Sequence, residues 1–231
     1  MKAVVLLSGG LDSSTCLALA VRELGAGEVL ALSVSYGQKH AREVRAARDV
    51  AAHYQVALEH LDLSCCFARS TSSLLDHSSE DIPHEDYAAQ LQDRPGGLVS
   101  TYVPFRNGLM LSAAAAWAQS AGAERIIYGA HADDAAGRAY PDCSPEFVRL
   151  MGGAIREGTG GGMILEAPFL NSTKADIVRT GLELGVPYEL TWSCYEGGKH
   201  PCGVCGTCRD RIRAFRLNGA EDPLDYRTAT R

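Results

Sequence analysis

Residues 7–14, Leu7-Ser8-Gly9-Gly10-Leu11-Asp12-Ser13-Ser14, follow an apolar run from Ala3 to Leu7 and lead into a segment with helical spacing. The order is a strand, a glycine turn and a helix N-terminus, which together make an anion site. Two glycines let backbone N–H groups close on a phosphate, the helix aims the positive end of its dipole at the same point, and the hydroxyls of Ser8, Ser13 and Ser14 add donors. A serine-capped helix after a glycine turn is the plainer reading, but it does not call for two Gly, an Asp and three Ser within eight residues. The stretch also lacks the Gly-Lys-Ser/Thr ending that sets a lysine on the β- and γ-phosphates of a nucleotide cleaved between them. A different cleavage is indicated.

The chain has 231 residues, 46% of them hydrophobic, and a formal net charge of −6. That length suits one α/β domain with a small appendage and enough apolar surface for a substantial core. The acidic balance and the lack of a basic stripe argue against a nucleic-acid partner. No leader and no apolar run near the roughly 20 residues needed to cross a bilayer are visible, so no membrane partner is expected and a cytoplasmic setting is.

The hydrophobic period alternates. Strands are expected at Ala3–Leu7, Glu28–Val34, Val56–Leu63, Arg125–Gly129 and Met163–Ala167, and helices at Asp12–Leu24, His40–His53, Asn107–Ala121, Pro145–Glu157 and Lys174–Leu184. Such βαβ repetition predicts right-handed crossovers, a parallel five-stranded sheet flanked by helices, and ligand sites at the carboxyl ends of the strands. The helix at Asn107–Ala121 is apolar on nearly every side and should be buried against the sheet. Residues 64–101 break the rhythm and read as a long active-site loop or lid. A nucleotide-binding domain over residues 1–190 and a metal-binding segment with a helix over residues 191–231 complete the layout.

Four of the eight cysteines, Cys194, Cys202, Cys205 and Cys208, cluster near the C-terminus with two-residue gaps at Cys202-Gly-Val-Cys205 and Cys205-Gly-Thr-Cys208. Four thiolates at this spacing give the closed tetrahedral shell of a structural zinc ion, one per chain. An iron–sulfur cluster, which also takes four thiolates, and a disulfide pair are the competing readings. Three further islands sit where strands should end: Tyr36-Gly37-Gln38-Lys39-His40, Val103-Pro104-Phe105-Arg106-Asn107, and Ala130-His131-Ala132-Asp133-Asp134 running on to Tyr140-Pro141-Asp142-Cys143. Each alone is weak, since Arg106 reads equally as a surface charge, Asn107 as a helix cap and Tyr140-Pro141-Asp142 as a turn. Their shared position at one sheet edge is the better argument.

With these residues in hand, the first motif resembles the pyrophosphate loop of enzymes that transfer AMP to an oxygen. From Val5 to Phe215 the chain resembles the 7-cyano-7-deazaguanine synthases. The likeness rests on SGGLDSS, YGQKH, VPFRN, YPDC with Pro145-Glu146-Phe147, Thr173-Lys174, and SCYEG followed by PCGVCGTC. It departs from that pattern at Phe105, where a small residue is expected, and in the longer spacer of residues 135–139.

The resemblance implies an adenine-nucleotide α-hydrolase-like fold and a ligase that uses ATP, Mg²⁺ and ammonia on 7-carboxy-7-deazaguanine. It implies a homodimer as well. The substrate carboxylate attacks the α-phosphorus of ATP, ammonia turns the acyl adenylate into an amide, and a second adenylation leads to the nitrile. Under this reading Leu7, Ser8, Gly9, Gly10, Leu11, Asp12, Ser13 and Ser14 form the nucleotide site. Ser8, Asp12, Ser13 and Lys174 carry the catalysis, with Asp12 ordering the loop or placing the ion. Tyr36, Gln38, Arg106, Asn107, Asp134, Tyr140, Asp142 and Cys143 take the substrate, Arg106 at its carboxylate and Tyr140 and Asp142 at its purine edge. Free ammonia is the expected donor, because the chain has no room for a glutaminase domain. The alternatives are a tRNA-thiolating enzyme using Cys143, a non-catalytic zinc module, or the same fold joining the acid to a protein or peptide amine.

Overall fold

The computed structural model describes residues 1–84, 90, 98–135 and 140–227, and the side chains of Asp134 and Ala135 lie outside that description. Five parallel strands, β1 (Ala3–Leu6), β2 (Val29–Ser35), β3 (Ala57–Asp62), β4 (Arg125–Ile127) and β5 (Ile164–Glu166), form one sheet in the order β3-β2-β1-β4-β5. Around it lie α1 (Leu11–Leu24), α2 (Arg42–His53), α3 (Arg106–Ser120), the single turn α4 (Ala132–Ala135), α5 (Pro145–Gly158), α6 (Lys174–Leu184) and α7 (Gly206–Leu217). The parallel sheet expected from the alternation is borne out.

The central strand explains the layering. Ala3, Val4 and Val5 are all fully buried, as a parallel strand covered on both faces requires. Ala3, Val5 and Leu7 point to a core shared with α1, α2, α6 and α7, whereas Val4 joins Leu30 and Leu32 against α3 and α5. Strand order reverses at β1, which pairs with β2 on one side and β4 on the other. The crevice beyond the carboxyl ends of β1 and β4 is therefore where a ligand belongs.

Three differences from the sequence expectation have physical causes. Helix α2 starts at Arg42 rather than His40, because His40 packs against Gly197 of the C-terminal segment and leaves the helix. Helix α3 buries only the stripe Gly108, Leu111, Ala114, Ala115 and Ala118, and Ala116 faces out, since alanine tolerates either environment. Within residues 64–101, Leu74 and Leu75 are buried with Tyr36, Phe67 and Val103, and Gln38 pairs with Leu75 in an antiparallel bridge. That part of the long connection is a packed wall; residues 85–89 and 91–97 lie outside the described residues.

Helix α7 shares the main core through Ala214 and Phe215. Its Arg211, 1% exposed, is held by Asp222 at 2.7 and 3.0 Å, by the Thr191 hydroxyl at 2.6 Å and by the Tyr188 carbonyl at 3.0 Å. Among the described residues no helix is long and apolar enough to cross a membrane.

Candidate functional site

The turn after β1 folds as its glycines dictate. Gly9 has φ +84°, and a β-carbon there would collide with the Ala47 nitrogen and the Glu43 carbonyl of α2. Only glycine meets both demands. Gly129, after β4, lies so close that a β-carbon would reach 3.1 Å from the Ser13 nitrogen, which brings the two strand ends together. Ser13 Oγ lies 3.0 Å from Ser8 Oγ, donates to the Gly10 carbonyl at 3.2 Å and accepts from the Ser8 amide at 3.2 Å. The hydroxyls thus order the loop. Leu7 and Leu11 are core anchors at 1% exposure, so they offer a ligand only their backbone. Ser14 is buried away from the cleft, its hydroxyl without a hydrogen-bond partner among the described residues.

Two helix N-termini converge on this loop. Gly10 caps α1 without a side chain, whereas α6 opens with a capping box of Thr173 and Asp176. Lys174, the first residue of α6, reaches back to Asp12 Oδ2 at 3.2 Å, and His131 Nε2 stands 3.7 Å from the same oxygen. Burial works to raise the Asp12 carboxyl, but the charge of Lys174 and then that of His131 outweigh it and hold it below the usual carboxylate range. Asp12 Oδ1 has no hydrogen-bond partner among the described residues. Asp133 accepts the Lys174 amide at 2.8 Å and so fixes the helix that delivers the lysine.

The same cleft continues from Ser8, Gly10, Asp12, Ser13 and Lys174 to Tyr36, Gln38, Arg106, Asn107 and Cys143. Gln38 accepts the Tyr36 amide at 2.8 Å, which folds the turn after β2 and presents the Tyr36 ring beneath the Arg106 guanidinium, 4.9 Å from its centroid. Burial pushes the Tyr36 hydroxyl up to about 12, against the pull of Arg106, so it stays a neutral donor.

The two residues expected at the purine edge, Tyr140 and Asp142, are not among those lining the cleft, though both lie near enough to act on the Arg106 charge. Asp142 accepts the Asn107 amide at 2.9 Å and serves as the cap that Phe105 cannot provide for α3, and Tyr140 shares a 2.6 Å hydrogen bond with Thr101. Asn107 Nδ2 donates to the Asp142 carbonyl and to Cys143 Sγ, locking that segment to α3. The Asp134 side chain lies outside the described residues. Phe105 adopts left-handed backbone, φ 54°, and its exposed ring lies against Phe147 outside the cleft. The cleft wall is therefore not altered by that ring.

Cys194, Cys202, Cys205 and Cys208 are buried, with sulfurs all within 4.8 Å of one another and Cys202 to Cys208 at 3.9 Å. A tetrahedron with metal–sulfur bonds of about 2.3 Å has edges of about 3.8 Å, so the cage is the size a metal ion needs. Backbone amides of Val204 and Cys205 point at Cys202 Sγ and that of Cys202 at Cys194 Sγ, the outer hydrogen bonds that orient thiolates. Hydrogen bonds among these sulfurs push the Cys205 thiol down and the Cys194 and Cys208 thiols up. The segment also touches the glycine turn after β1: Trp192 N donates to the Gly9 carbonyl at 2.9 Å, and Arg42 covers the Trp192 ring while donating to the Gly198 and Lys199 carbonyls.

His131, Asp133, Glu43 and Tyr195 join the site beyond the residues chosen from sequence. His131 and Asp133 belong to an island already singled out; His131 is set apart by its burial near Asp12, and the exposed Asp133 by its bond to the Lys174 amide. Glu43 carried no such signal, because an acid in the first turn of an Arg- and Ala-rich helix reads as a dipole partner.

A family model described as queuosine biosynthesis protein QueC matches residues 2–219. The chain is 47% identical over 231 residues to a 7-cyano-7-deazaguanine synthase of Thermoplasma acidophilum, covering 97% of this chain and 92% of that one. It is 44% identical to the proteins of the same name from Caldicellulosiruptor bescii, covering 98% and 97%, and Oceanobacillus iheyensis, covering 97% and 98%. An NMN synthetase structure from Francisella tularensis has the same fold, with TM-score 0.50, 17% identity, and coverage of 95% of this chain and 78% of that one.

Proposed function

The chain belongs to the QueC family of queuosine biosynthesis proteins, and from that premise we propose that it is an ATP-dependent ligase making 7-cyano-7-deazaguanine from 7-carboxy-7-deazaguanine and free ammonia. The observation that carries this reading is a single cleft in which the phosphate loop, two helix N-termini and the cations of Lys174 and Arg106 meet. Anionic nucleotide and anionic acid are thereby brought to one place without a protein nucleophile, so positioning and charge stabilisation carry the catalysis.

In the first half-reaction a substrate carboxylate oxygen attacks the α-phosphorus, the bond to the bridging oxygen breaks, and pyrophosphate leaves. The amides of Gly9 to Ser13 and the α1 dipole hold the departing anion, and the Ser8 and Ser13 hydroxyls can turn from each other to the phosphate. Lys174 is placed to follow the charge as it develops. Arg106, stacked over the Tyr36 ring, suits the substrate carboxylate as a two-pronged donor. Ammonia then forms the C–N bond and AMP departs with the oxygen. A second adenylation at the amide oxygen, followed by loss of AMP and the nitrogen's protons, leaves the nitrile.

Asp12, with one carboxylate oxygen unengaged, suits a hard cation, and Mg²⁺ bound there would share the charge of the triphosphate. The four cysteines suit zinc, which, held by these residues alone, would support folding and keep Trp192 against the loop rather than enter the reaction. A homodimer is the assembly the family resemblance supports, to be checked by sedimentation. Incubation of the purified protein with ATP, the acid and ammonium should give the nitrile and AMP by mass spectrometry. A peptide-linked amide formed only when an amine-bearing peptide is supplied would point to the other acceptor class, and ADP as product would exclude adenylation.

A further inference from the structure

The reaction above needs a nitrogen nucleophile, yet ammonia at neutral pH is mostly ammonium, which has no lone pair to attack with. Among the described residues one acid lining the cleft is free to deal with this. Asp12 faces Lys174, Asp133 accepts the Lys174 amide, and Asp142 accepts the Asn107 amide. Glu43 is different. It lies in the first turn of α2, where its carbonyl packs against Gly9 of the phosphate loop, and it lines the cleft beside Ser8, Gly10, Tyr36, Arg106 and Tyr195. No hydrogen bond or ion pair to another described residue engages its carboxyl.

Burial pushes that carboxyl up to about 7, against the pull of the nearby Arg106 guanidinium. Such a group is divided between its two forms at neutral pH, so it can accept a proton and release it again within a turnover. It lines the same cleft as Arg106, the residue assigned above to the substrate carboxylate.

We propose that Glu43 binds ammonium in the cleft and takes its proton as the nitrogen attacks the acyl adenylate. This rests on the ligase reading. The N–H bond of ammonium breaks with its electron pair left on nitrogen, that pair forms the C–N bond, and the C–O bond to AMP breaks with its electrons going to AMP. Glu43 passes the first proton to solvent, and the added nitrogen loses a second to give the neutral amide. No oxidant or reductant is required.

The test compares wild type, Glu43→Gln and Glu43→Asp in three measurements at neutral pH. These are acid-dependent exchange of labelled pyrophosphate into ATP, amide and nitrile formation against ammonium concentration, and hydroxamate formation with hydroxylamine, which is already unprotonated. Glu43→Gln should retain the exchange and the hydroxamate reaction while kcat/KM for ammonium falls about 100-fold or more. Glu43→Asp should recover part of that loss. Unchanged ammonium use, an equal fall with both nucleophiles, or a rise confined to the KM of the acid in the exchange would each overturn the assignment, the last by showing that Glu43 reads the base. No acid-dependent exchange in the wild type would overturn the ligase reading itself and this inference with it.

Discussion

Asp12 Oδ2 and Lys174 Nζ lie 3.2 Å apart, joining the N-terminal turn of α1 to that of α6 across 162 residues of sequence. Both side chains are largely withdrawn from water, with 23% and 14% exposed. The pair therefore holds a cation beside the Gly9-Gly10 turn, and it leaves Asp12 Oδ1 buried without a hydrogen-bond partner among the described residues.

Replacing Asp12 by Asn or Lys174 by Met should lower acid-dependent pyrophosphate exchange by about 10²–10³, the cost of removing a preorganised charge from a developing anion. Circular dichroism should show the fold intact. Exchange at the wild-type rate in either variant would remove the pair from the chemistry.

The same pair has a pH signature. Asp12 is held below its ordinary range, so it contributes stability that is fully present above about pH 4, the unfolded carboxyl value, and is lost as pH falls through the lower folded value. Lys174→Met removes the largest opposing charge, so the Asp12 carboxyl rises as desolvation is met only by the weaker pulls of His131 and Arg211. Thermal melts should show the variant less stable by about 1–3 kcal/mol at pH 7, between the figures for exposed and buried pairs. The difference should narrow as pH falls from the variant's higher Asp12 value to the wild type's lower one.

Arg211 and Asp222 make a second, structural pair, with side chains 2% and 4% exposed. Asp222→Ala leaves the guanidinium buried with only neutral partners and should cost about 3–5 kcal/mol by denaturant unfolding. Arg211→Met with Asp222→Leu should recover much of that loss. A double variant no more stable than the single one would show that shape, rather than charge, holds α7 to the core.

Cys205→Ser should release the metal and melt the segment that bears Trp192, lowering the melting temperature by more than 10 °C, since a structural zinc contributes on the order of 10 kcal/mol to folding. Metal analysis checks both points, and visible absorbance distinguishes iron–sulfur from zinc. Wild-type melting in a metal-free variant would contradict the structural role.

Much of this was legible in the sequence where one residue type has one physical use. Gly9 and Gly10 with Asp12 gave the loop, the alternating periods gave the parallel sheet, and the spacing of Cys202, Cys205 and Cys208 gave the cage. What was not legible depends on tertiary neighbours. That Asp142 caps α3 through the Asn107 amide, where Phe105 offers no side-chain cap, shows only once the two segments are packed together. Glu43 looks like a helix-terminus acid until α2 is packed on Gly9. Leu74 and Leu75 lack any sustained period, and only the bridge to Gln38 shows them as a wall.

The most direct test of the central claim, that this cleft moves AMP onto a carboxylate oxygen, follows oxygen atoms. With both carboxylate oxygens of 7-carboxy-7-deazaguanine labelled with ¹⁸O, each nitrile formed should be accompanied by two molecules of AMP carrying one label apiece and by unlabelled pyrophosphate. Unlabelled AMP, or label in a phosphate released with ADP, would contradict the account.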